Sequence, residues 1–187
     1  MSESCKLSRN SEKYIKKADK IICHQKKETQ NMRLTNSISA NFTNQASIQC
    51  CSAIEMCENI LCFTTSISTQ ELADDLKCLC EKFLKQIEEL NDRCLRAANQ
   101  RQELYYYQNN FEEIAERMFR RLEKMCDTND IDQNFRNYVR IFCESMICMC
   151  ENVLKFRILP EVRELAEEMK KCFKELLEKM ERTEKCE

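Results

Sequence analysis

Cysteine is the residue type best placed to do chemistry in this chain, which has fifteen cysteines and a single histidine. Cys50 and Cys57 stand one heptad apart, as do Cys143 and Cys150, so each pair shares a helix face, with Met56 or Met146 nearby. Soft thiolate and thioether ligands in such an arrangement suit Cu(I). Thiols at i and i+7 are about 10 Å apart along a helix, so one ion would need further ligands from another helix. Cys78-Leu79-Cys80 and Cys148-Met149-Cys150 lack the CxxC spacing and second pair that mark a zinc site. Free cysteine also packs as a small buried hydrophobe, and that is the reading adopted: no cofactor is expected.

Other chemistry is sparse. His24 lies in a polar stretch, so a catalytic dyad or triad built on imidazole has no second histidine to draw on. Glu58 and Glu151 resemble the paired carboxylates of di-iron bundles, but those sites also need Glu-x-x-His pairs, and the sequence has none. The chain has no glycine, which excludes phosphate-cradling loops, dinucleotide fingerprints and nucleophile elbows. No catalytic residue is assigned, the chain is read as a non-enzyme, and no small-molecule substrate is expected. Helices lined with cysteine do resemble copper-storage bundles. That resemblance implies an alternative function, Cu(I) or zinc storage or buffering, with Cys50, Cys57, Cys143 and Cys150 as ligands.

The elements that position these residues are written twice. IEMCENILCF at 54–63 returns as ICMCENVLKF at 147–156, and half of the positions from 32 to 63 are identical to those 93 residues later. The sequence reads as an all-α tandem duplication of a three-helix unit, 1–93 and 94–187. Apolar residues stepping by three and four predict helices over about 11–33, 40–63 and 69–92, then about 99–126, 132–156 and 160–184. The fourth helix has a strong seam in Leu104, Tyr107, Phe111, Ile114, Met118 and Leu122, whereas its counterpart in the first unit carries Gln25 and Thr29. The first helix is therefore expected to dock least firmly. Asn36 to Ser39 and Asn129 to Asp132 supply caps for the middle helices, Ser68-Thr69-Gln70-Glu71 forms a capping box, and Pro160 opens the last helix.

The middle helices carry two specified faces. Cys50, Ile54, Cys57 and Leu61 share one, while Phe42, Met56, Asn59 and Phe63 lie on roughly the opposite one, and both patterns recur. Either the two middle helices pack on each other or one face receives a partner. Phe42, Met56, Asn59, Phe63, Phe135, Met149, Asn152 and Phe156 are thus interface candidates, the two asparagines as register-fixing amides. Tyr105 and Tyr106 join them, because the run Tyr105-Tyr106-Tyr107 turns at least one ring outward.

From about Thr69 to Cys126 there is neither glycine nor proline, so the third helix could run into the fourth, a span of about 85 Å. That organisation resembles spectrin-type three-helix repeats, with a shorter period and without their tryptophans. A compact six-helix bundle is the competing arrangement. The first 33 residues hold nine basic side chains against four acidic ones, read as a solvated helix face. With a net charge of −2, no stretch of ~18 apolar residues and no export signal, the expectation is an intracellular, cytoplasmic or nuclear protein without membrane span or nucleic-acid footprint. The expected function is a helical scaffold that binds a protein partner, or itself, through bundle or coiled-coil surfaces.

Overall fold

The computed structural model describes residues 3–31, 38–94, 101–125 and 130–184, with side chains placed within 9–29, 38–91, 106–124 and 130–184. Among them the chain forms six helices: α1 (Glu3–Asn31), α2 (Ile38–Leu61), α3 (Ile67–Cys94), α4 (Arg101–Met125), α5 (Ile131–Val153) and α6 (Pro160–Glu184). α1 begins about eight residues earlier than its seam predicts. The stretch from Glu3 has no apolar stripe, but it also lacks glycine and proline, so nothing in it stops the helix.

Local polar chemistry sets several ends. Asp130 caps α5, its carboxylate accepting from the Asp132 and Gln133 amides at 3.0 Å each. The start of α3 differs from the expected capping box at Ser68. Ser66 Oγ accepts the Thr69 amide at 3.3 Å, two residues upstream, and Thr64 Oγ1 accepts the Ser66 amide at 3.1 Å. Ser68 instead accepts from Arg136 of α5 at 3.0 Å. The expected cap at Asn36 lies outside the described residues.

Packing answers the question the sequence left open. α2 lies against α1 and α3 and also against α5, which in turn lies against α4 and α6; α3 meets α6 and α1 meets α4. Thr64, just past α2, donates to Asp132 at the start of α5 at 2.5 Å, while Ser39 at the start of α2 accepts the Leu159 amide, beyond α5, at 3.1 Å. The middle helices therefore run antiparallel. In an end-to-end tandem a middle helix of 24 residues would be carried about 36 Å from its counterpart, so these contacts belong to a side-by-side bundle and not to the spectrin-like arrangement. Whether α3 continues into α4 falls on 95–100, outside the described residues.

Aromatic rings weld the two triplets together. Phe173 of α6 lies 5.6 Å from both Phe83 of α3 and Phe142 of α5, and all three are fully buried. No described residue has positive φ and none is preceded by a cis peptide.

Candidate functional site

The middle helices bring together the cysteines that the heptad spacing singles out. Cys50, Cys57, Cys143 and Cys150 are all fully buried, and so is Cys80 of α3. Because α2 and α5 are antiparallel, Cys150 comes under the electrostatic influence of Cys50, and Cys143 under that of Cys57. Interaction with the neighbouring Cys50 thiol, together with burial, raises the Cys80 pKa well above the ordinary thiol value. Burial pushes Cys57 up to about 12 against the opposing pull of Lys77, and burial likewise raises Cys143 and Cys150. Heptad reasoning passes over Cys80, because the residue 93 positions on is Phe173. Its signal is its place between Leu76 and Phe83 on the α3 seam.

Burial favours the protonated form of Cys57, Cys80, Cys143 and Cys150. A metal ion needs the thiolate, the form that burial disfavours most. Among the described residues no group of three or more His, Cys, Asp or Glu side chains is arranged to hold an ion. Tyr138 completes the cluster. It is fully buried, its hydroxyl has no hydrogen-bond partner among the described residues, and burial followed by Cys57 and Cys80 raises its pKa well above normal.

The interface candidates on the middle helices face the chain's own core. Phe42, Met56, Phe135, Met149, Asn59 and Asn152 are all buried. Asn59 Nδ2 donates to the Tyr14 carbonyl at 3.4 Å, and Asn152 Nδ2 donates to the Tyr107 carbonyl at 3.4 Å. The second face of α2 is thus covered by α1, and that of α5 by α4. Phe63 and Phe156 are half-buried: Lys17 Nζ sits 4.9 Å from the Phe63 centroid, and Tyr107 meets Phe156 edge-on at 5.6 Å. Sequence periodicity registers that both faces are specified; it does not register that the chain carries its own cover.

Tyr106 does face outward, 57% exposed. The next residue, Tyr107, is fixed in the core and donates to Gln45 of α2 at 2.6 Å. The Tyr105 side chain lies outside the described residues. His24 is exposed. The recurring carboxylates are two separate surface pairs with the same geometry, Glu58 with Lys77 and Glu151 with Lys170, each at 2.9 Å. Hydrogen bonding to Lys170 lowers the Glu151 pKa.

Sequence periodicity also leaves a polar seam unassigned. Gln25 of α1 and Gln49 of α2 are buried, and Gln25 Nε2 donates to Gln49 Oε1, while Gln25 Oε1 has no partner among the described residues. Their counterparts in the second triplet, Met118 and Phe142, are buried and apolar. The cleft between α1 and α4, bordered by Lys26, Asn41, Gln45, Phe111 and Phe119, holds about 130 Å³. A more open groove between α4 and α5, bordered by Arg117, Met118, Arg121, Glu144 and Cys148, holds about 300 Å³. Among the described residues, no helix is long and apolar enough to cross a membrane. No protein-family model, no curated protein and no solved structure matches the chain.

Proposed function

We propose that this chain is a non-enzymatic helical scaffold that presents rigid outer helix faces to a protein partner. The observation that supports this reading is Tyr106, an aromatic ring 57% exposed on a helix whose adjacent residue is locked into the core. An exposed tyrosine ring on a firmly docked helix offers a large apolar area with few rotatable bonds to order, which is why tyrosine is enriched at interfaces. The filled middle-helix faces add to the argument. A bundle that completes its own core can keep its outer faces fixed while a partner binds. Native mass spectrometry of the tagged chain, recovered from its own cells under reducing conditions, tests the reading. A stoichiometric complex that Tyr106→Ala weakens supports it, and a lone chain in every preparation refutes it.

The buried thiols support a second reading, soft-metal buffering, through the Cys50–Cys80 contact, since two adjoining sulfurs can hold Cu(I) once deprotonated. Titration of the reduced protein with Cu(I) against a competing chelator tests it. Retention of stoichiometric copper that Cys80→Ser abolishes would favour it.

A further inference from the structure

α1 carries a row of positive charge. Arg9, Lys13, Lys16, Lys17, Lys20 and Lys27 are all exposed, and at 100° per residue they fall within an arc of about 100° on one face of the helix. The opposite face, Tyr14, Ala18, Ile22 and Gln25, is buried in the bundle. The row therefore points squarely into solvent, about 27 Å long at 1.5 Å per residue.

Many basic side chains elsewhere on the surface are paired, and those that are not, such as Lys85, Lys124 and Lys155, stand singly and not in a row. Arg117 and Arg120 meet Glu113 and Glu116 along α4, Lys170 meets Glu151, and Lys82 and Lys179 bridge to Glu168 and Asp75 across α3 and α6. None of the six α1 residues has an ion-pair partner among the described residues, although Lys17 lies over Phe63. Like charges three and four apart repel, and Glu12 and Asp19 at the edge of the row offset that repulsion only in part.

We infer that the outer face of α1 is the docking surface for an acidic helix of a partner protein, laid along the row with its carboxylates at matching spacings of three and four. The inference rests on the scaffold reading above and names the partner's chemistry. Charge complementarity selects an acidic occupant, and width selects a helix. The row is one helix face wide and is flanked by Glu12 and Asp19 on one side and Glu28 on the other. A helix about 10–12 Å across fits between these flanks. A nucleic-acid duplex is wider and would bring phosphates against them and against the acidic remainder of a chain whose net charge is −2. The apolar face of α1 is turned inward, so no insertion into lipid accompanies it.

Fluorescence anisotropy of a labelled 21-residue helical peptide, with glutamates at i, i+3, i+4 and i+7 along one face, tests this on the full chain. The expected result is saturable one-to-one binding that weakens at least tenfold between 50 and 300 mM salt. The variant Lys13→Glu, Lys16→Glu, Lys20→Glu, Lys27→Glu should lose it, while Arg117→Glu with Arg120→Glu on α4 should keep it. Circular dichroism reports whether the variants fold, and the milder Lys→Gln set at the same four positions should give a partial loss. No binding to the wild type, equal loss in the α4 control, equal binding of a proline-interrupted acidic peptide, or tighter binding of a DNA duplex or anionic vesicle would each overturn the inference. A cellular complex that survives the four-lysine reversal overturns it too, while leaving the scaffold reading standing.

Discussion

Replacing Gln25 with Met and Gln49 with Leu together should stabilise the protein, although either change alone should harm or barely help it. Both amides are buried, at 1% and 2% exposure, and they share one hydrogen bond while Gln25 Oε1 has no partner among the described residues. A buried unsatisfied polar atom costs about 1–3 kcal/mol, and a hydrogen bond returns a net of about 1 kcal/mol. Removing both amides should therefore gain about 1–2 kcal/mol, since apolar residues of similar volume fill the same space. In a chain of this size that corresponds to about 2–8 °C in Tm. Gln49→Leu alone strands both ends of the Gln25 amide and should lower stability by about 1–3 kcal/mol. The assay is a double-mutant cycle by urea denaturation, with hydrogen exchange of the α1 amides as a local readout. The double variant should slow exchange in α1, because this seam is what distinguishes α1–α2 from α4–α5. A double variant no more stable than the wild type, or less stable than Gln49→Leu alone, would refute the reasoning.

Three further outcomes are expected. Tyr138→Phe removes a buried hydroxyl that has no partner among the described residues, and chemical denaturation should show a gain of about 1 kcal/mol. Phe173→Ala takes away the ring that touches both Phe83 and Phe142, and the same measurement should show a loss of about 3–5 kcal/mol. The pKa values of Cys57, Cys80, Cys143 and Cys150 are raised in the fold, so the stability they contribute is fully present below the unfolded thiol value near 8.5 and is lost as pH climbs through the folded values. Cys57, pushed up to about 12, sets a window from about pH 8.5 to 12. Buried Tyr107 and Tyr138 act in the same direction, and a pH titration of Tm under reducing conditions should fall across that range.

The helices were legible because their apolar spacing is written in single residues. The seam of α4 runs through Tyr107, Phe111, Met118 and Leu122, and all four are buried. The side-by-side arrangement was not legible. Nothing local to α2 tells a face filled by α1 from a face awaiting another protein, and Met56 and Asn59 look the same in either case. The thiol cluster was half legible. A heptad places Cys50 with Cys57, but only the antiparallel crossing of α2 and α5 brings Cys150 near Cys50 and sets Cys80 beside it. The basic row on α1 was visible as composition, and its significance came from geometry. Only the fold shows that many basic side chains elsewhere have carboxylate partners and that, among the described residues, these six do not.

The uniformly negative φ of the described residues has an experimental consequence. In most proteins an alanine scan mixes two effects, loss of a side chain and strain where a Cβ is forced into a left-handed turn. Here no described position is left-handed, so an alanine scan reads side-chain removal together with helix propensity, free of left-handed strain. A complete scan would map this protein's energetics without the backbone correction that glycine-rich folds demand.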